Sequence, residues 1–271
     1  MNSRPSLPQE TLDFIVDLLR GSRDALKQCC LVCKSWIPRT RRYLFYRIAF
    51  RSLADLEAWR RTFPDPANSP AYHTRSLTVE CLPYITAADA EDGGWIRAFS
   101  KVELFNVMST TRSSHAYSLV PFRNISPALK SLCVEYRNIP LSEVFGLMHN
   151  LPLLEDLMIL CHGMDTRSSE EDERSTFKPS TSPPLTGTLL LYMLNGVEHT
   201  ARRLLNLPHG LHFRKFVCTW CTGEELRWIM ALVEECSATL ERIEIECYVS
   251  PGTSLQLLRW TIHLTRGCCI S

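Results

Sequence analysis

The amino-acid sequence predicts an α/β fold: a small N-terminal module of three helices, then a curved parallel sheet with helices packed outside it. Three observations carry the prediction. Apolar residues recur with a helical period through the first part of the chain. A triad, apolar-x-x-apolar-x-apolar, then recurs along the rest. Between the triads lie segments whose apolar spacing suits short helices.

The module begins at Leu7-Pro8-Gln9-Glu10. Leu12, Ile15, Leu18 and Leu19 follow as one stripe of a 3.6-residue period. Gly21 stops this helix. Ser22 is placed to cap the next, with Asp24 in its first turn, where negative charge complements the helix dipole. Leu26, Cys29, Cys30, Cys33 and Trp36 form a second stripe, with Val32 beside it. Pro38 lacks a backbone N–H and so kinks or restarts the helix. Arg39, Arg41, Arg42 and Arg47 read most simply as a solvated face, with a nucleic-acid patch the minor alternative.

Across residues 5–48 the order and spacing resemble the F-box family. The match rests on Leu7-Pro8-x-Glu10, the Ile15/Leu18/Leu19 stripe, Leu26, and Leu31-Val32-Cys33-Lys34-Ser35-Trp36. The Pro38-Arg39-x-Arg41-Arg42 continuation is similar to F-box proteins common in fungi. The resemblance implies docking onto a Skp-type linker subunit, and through it onto a cullin–RING ubiquitin ligase. By residue, it implies docking through Leu7, Pro8, Ile15, Leu18, Leu26, Val32 and Trp36. A physical reason supports this: three short helices bury too little surface to be comfortably stable alone, so their apolar stripe needs a following domain or a partner. For Trp36 and Cys33 a plain core role is the equal alternative. Leu7-Pro8 precedes any helix and has no packing need of its own.

The triads are Phe45/Ile48/Phe50, Thr74/Leu77/Val79, Phe99/Val102/Leu104, Leu129/Leu132/Val134, Leu154/Leu157/Ile159, Thr186/Leu189/Leu191, Phe213/Phe216/Cys218 and Leu240/Ile243/Ile245, at intervals of 25 to 32 residues. The last two residues of each share one face of a strand. Helices are expected over Leu53 to Phe63, Ser142 to His149, Val197 to Leu205 and Glu224 to Cys236. Strand and helix alternating at this spacing resemble the leucine-rich repeat. The resemblance is loose, because the family's Asn, three residues after the last apolar position, is replaced by Leu82, Val107, Arg137, His162 and Tyr248. Residues 45–250 are therefore expected to form an irregular leucine-rich-repeat-like solenoid, with a non-repeating α/β domain as the rival.

Residues 165–184 contain Ser168-Ser169-Glu170-Glu171-Asp172-Glu173 and a Ser-Thr-Pro-rich continuation without apolar period. They are expected to be a disordered insertion; a tolerated surface excursion is the simpler reading and a regulatory phosphosite the other. The tail, 251–271, offers only Leu255 to Leu264, too close for another repeat. It is expected either to cap the sheet by irregular pairing or to mark a shortened chain.

Lys+Arg 30 against Asp+Glu 29 leaves a formal charge of +1, so no chain-wide field draws nucleic acid or an acidic membrane. The longest nearly apolar run, Leu189 to Leu194, is far below the roughly 20 residues that cross a bilayer. No secretory signal is visible. Most of the 12 Cys occupy apolar positions, which reads as buried reduced thiols in a cytoplasmic or nuclear protein. Cys30-x-x-Cys33 and Cys218-x-x-Cys221 have metal-like spacing. The first, however, lies inside a helix, and the second on a strand, where an odd offset directs the two side chains to opposite faces. No metal or cofactor is expected. No nucleophile elbow, phosphate-binding glycine loop or His-Glu-x-x-His motif argues for an enzyme.

Residues alternating with the buried ones would line the open face of the sheet, the usual recognition surface of a solenoid. Phe105, Met158, Leu160 and Tyr192 are the expected contacts for a target protein, since large apolar groups on such a face mark contact sites. Burial beneath the insertion or the tail is the alternative. The expectation is a non-catalytic substrate receptor of a Skp–cullin–F-box ubiquitin ligase. The alternative is an interaction scaffold whose F-box works outside any ligase.

Overall fold

The computed structural model describes residues 8–32, 34–80, 94–108, 118–136, 139–161, 185–193, 197–249 and 256–264. Leu7, Cys33, the insertion 165–184, and the tail apart from 256–264 lie outside the described residues.

Three helices open the chain: α1 (Gln9–Leu18), α2 (Arg23–Val32) and α3 (Ile37–Leu44). The Pro8 carbonyl accepts from the N–H groups of Thr11 and Leu12, at 3.1 and 3.2 Å, and starts α1. Pro38 falls in the first turn of α3, where a missing N–H costs no bond, so the chain restarts a helix there. Asp17 fastens α1 to α3. Arg39 Nε and Nη2 donate to its two carboxylate oxygens at 2.7 and 2.5 Å, and the Tyr43 hydroxyl donates at 2.7 Å. Those bonds, Arg39's first, hold the Asp17 carboxyl down at about 2. Thr40 is fully buried and returns its hydroxyl to the Trp36 carbonyl at 2.8 Å.

Nine strands follow among the described residues: β1 (Arg47–Phe50), β2 (Ser76–Val79), β3 (Leu104–Met108), β4 (Ser131–Tyr136), β5 (Asp156–Cys161), β6 (Thr188–Met193), β7 (Lys215–Thr222), β8 (Arg242–Val249) and β9 (Gln256–His263). They form one sheet in which spatial order equals chain order. β1 to β8 run parallel, and β9 pairs antiparallel with β8. Interleaved are α4 (Leu53–Thr62), α5 (Gly94–Arg97), α6 (Leu141–Met148), α7 (Val197–Leu205) and α8 (Leu226–Glu235). The predicted α/β class is thus observed, as a mostly parallel sheet with eight helices among the described residues. Ser52 and Asp55 start α4 with a reciprocal capping box. Among the described residues, no helix is long and apolar enough to cross a membrane.

The register explains the order. Leu77, Phe105, Leu132 and Leu157 lie side by side across β2 to β5, and Leu189, Phe216 and Ile243 continue the row. All are buried. Each such side chain removed from water contributes about 1.5–3 kcal/mol, so any one-residue slip, which would turn the row outward, is strongly disfavoured.

One predicted triad is corrected. Val79 pairs with Val107 and Leu77 with Phe105, so the third triad is Val102/Phe105/Val107, three residues later than Phe99/Val102/Leu104. All three of its members are fully buried, whereas Leu104 is half-buried on the other face. Phe99 instead joins an aromatic cluster with Phe50, Trp59 and Trp95, edge-on to Phe50 at 6.1 Å.

A column of backbone carbonyls pins the strand starts. Tyr46 O receives the N–H groups of Arg75 and Ser76, Arg75 O those of Glu103 and Leu104, and Glu103 O those of Lys130 and Ser131. The step into β6 differs. Gly187 N–H bonds the Glu155 carbonyl at 3.1 Å, while Thr188 N–H goes to Asp156 Oδ1 at 2.6 Å. A Cβ on residue 187 would lie 2.2 Å from that oxygen, so glycine alone leaves the carboxylate room.

Candidate protein-binding surfaces

α1 and α2 expose four large apolar side chains: Phe14 (63%), Leu18 (70%), Leu31 (80%) and Val32 (66%). Exposed apolar groups of this size are candidates for contact with a partner. Among the residues implied by the sequence, Leu18 and Val32 are exposed on α1 and α2 respectively, and Pro8 is exposed at the start of α1. Ile15 and Trp36 are half-buried. Leu26, expected at the docking edge, is 1% exposed; it faces inward from α2 and is closed to a partner. Leu7 lies outside the described residues. Phe14 and Leu31 were not assigned from sequence. Phe14 stands four residues before Leu18, the spacing of one helix face, and Leu31 adjoins Val32.

The second surface is the open face of the sheet. Met158, Leu160 and Tyr192 are half-buried there, with Leu190 beside Met158 and Tyr192 beside Leu160 in register. Cys133 and Val217 extend the Met158–Leu190 row on either side, and both are buried, at 6% and 7% exposure. Charges on the β8 side pair with one another. Glu244 meets Lys215 at 3.0 Å and Arg242 at 2.7 Å, and Glu246 meets Arg259 at 3.2 Å. The Lys215 bond is the main reason the Glu244 carboxyl sits below its ordinary pKa. Beside these pairs Met158, Leu160, Leu190 and Tyr192 form a half-buried apolar strip, with Glu135 next to Leu160 in register. Phe105 does not belong to it: the corrected register turns its ring to the covered side, with 0% exposure.

Trp220 adds a ring at the edge of the strip. A bulge in β7 between Thr219 and Cys221 sets Trp220 at φ +68°, a left-handed conformation that costs a non-glycine residue roughly 1–2 kcal/mol. Two things follow. The Trp220 ring packs against Tyr192, with centroids 5.8 Å apart, and Cys221 turns inward to full burial. Cys218 and Cys221 therefore share the core rather than opposite faces, because the bulge resets the alternation that the odd offset would otherwise impose. The hydrogen bond between Cys218 and Cys221, together with burial, pushes the Cys218 thiol up. Burial raises Cys133 and Cys236 to about 11, which makes them poor nucleophiles. Among the described residues, no group of three or more His, Cys, Asp or Glu is placed to hold a metal ion.

No protein-family model and no curated protein sequence matches the chain.

Proposed function

We propose that the chain is a non-catalytic substrate receptor of a Skp–cullin–F-box type ubiquitin ligase. In this reading α1 to α3 act as the F-box and dock the Skp-type linker through Pro8, Leu18 and Val32, joined by Phe14 and Leu31. The sheet and its helices act as an irregular leucine-rich-repeat-like domain. Its strip of Met158, Leu160 and Tyr192 holds a target protein. The work is done in the cytoplasm or nucleus, where thiols such as the buried Cys133 and Cys236 stay reduced.

The observation that carries the reading is the exposure of four apolar side chains on two helices whose sequence resembles the F-box. The test is capture of a purified Skp-type linker by the full chain. Leu18→Lys/Val32→Lys should keep its circular dichroism and lose capture about hundredfold or more, as for residues at the centre of an interface. Equal capture by this variant, or none by the unaltered chain, would defeat the docking claim. A linker complex that never brings a cullin with it would favour the scaffold outside a ligase.

A further inference from the structure

β1 ends the sheet. Alternate residues of a strand direct their N–H and C=O groups to opposite edges. The carbonyls of Tyr46 and Phe50 accept from the β2 side, from Arg75, Ser76 and Glu80. Arg47 and Ala49 therefore present their backbone groups outward, where no strand among the described residues pairs with them. This edge borders a groove of about 1180 Å³ lined by β1, by α4, by Arg23 at the start of α2, and by residues at β2 and β3 such as Ser76, Thr78 and Asn106.

The groove is net positive: Arg23, Arg47, Arg51 and Arg75 line it against Asp55 and Glu103. Arg75 is paired with Glu103 at 3.3 Å, and the Asp55 carboxylate accepts the backbone N–H groups of Arg51 and Ser52. Arg23, Arg47 and Arg51 also line the groove and are exposed. Among the described residues, no carboxylate stands within ion-pair distance of their side chains. An unpaired strand edge beside three guanidinium groups that have no ion-pair partner among the described residues has two complementary needs: main-chain hydrogen bonds and negative charge. An extended acidic peptide supplies both at once.

We propose that the β1 edge binds an extended acidic segment of a partner protein as an added strand. Backbone groups of Arg47 and Ala49 pair with the main chain of the segment, and Arg23, Arg47 and Arg51 meet its carboxylates. The site uses none of the residues assigned above to the linker or the target, so it stands or falls separately from those assignments. A plain charge patch would attract any polyanion; strand addition additionally requires the partner's backbone N–H groups.

That difference sets the experiment. A fluorescein-labelled peptide of alternating Glu or Asp and Val is titrated against the full chain by anisotropy, beside the same peptide methylated at alternate backbone nitrogens. The parent peptide should bind saturably. The methylated one should bind at least about tenfold more weakly, since it lacks the donors while keeping the charge. Arg47→Glu/Arg51→Glu, both exposed positions, should weaken the parent peptide by about tenfold or more. Hydrogen exchange at the Ala49 amide should slow when the peptide is bound. Equal binding of the methylated peptide would overturn the proposal in favour of a polyanion patch. Unchanged binding by the double variant, or no binding of the parent peptide, would overturn it outright.

Discussion

At the scale of single residues, two carboxylates shape local stability. Asp17 titrates near 3.9 in an unfolded chain and at about 2 in the fold, where Arg39 and Tyr43 hold it ionised. A carboxyl whose folded value is depressed adds stability above its unfolded value and loses it as the pH falls through the folded one. Thermal melts of the chain and of Asp17→Asn should therefore differ at neutral pH and converge as the pH falls from about 4 to about 2. Asp156 Oδ1 occupies the space a Cβ at residue 187 would need. Gly187→Ala should cost about 1–3 kcal/mol in urea unfolding, because the carboxylate must leave the Thr188 N–H. Adding Asp156→Ala should make the pair cost less than the sum of the two single changes, since the clash and the bond share one oxygen. Neither arrangement was readable in advance. Asp17 meets Arg39, and Asp156 meets Gly187, only after folding brings distant positions together.

At the scale of elements, legibility followed periodicity. Val197–Leu205 forms the predicted helix with unchanged bounds, and the helices near residues 53, 142 and 226 shift by only one or two residues at their ends. The third strand was ambiguous because the local sequence carries two overlapping apolar phases, Phe99/Val102/Leu104 and Val102/Phe105/Val107. Only the pairing with Leu77 and Val79 separates them. This distinction is measurable. Phe105→Ala should cost about 3–5 kcal/mol, as expected for an emptied core site. Met108→Ala, on the half-buried face, should cost under about 1 kcal/mol. The opposite ranking in denaturant unfolding would restore the earlier phase. The bulge at Trp220 had no sequence signal, since neither Gly nor Asn marks the left-handed position. Its effect was nonetheless large, as it brought two cysteines into one core and Trp220 against Tyr192. The exposed face of the helical module was half legible. Leu18 and Val32 are legible in the sequence, whereas Phe14 lies outside the Leu12/Ile15/Leu18/Leu19 stripe, and only the fold, which buries Val16 alone on α1, shows its exposure.

At the scale of the molecule, the recurring triads announced a sheet built one strand at a time, and the strands indeed succeed one another in chain order. Which surfaces would stay open was harder to see, because exposure depends on how neighbouring elements cover one another rather than on any local pattern. The same ordering has a mechanical consequence. β1 and β9 stand at opposite ends, eight strand steps apart, or ~38 Å at the usual inter-strand spacing. A pull applied across those ends acts along the inter-strand hydrogen bonds, so every strand pair carries the same load and the weakest parts first, instead of the whole ladder shearing together. Under tension the molecule would behave as a soft spring, paying out one strand-and-connection unit at a time.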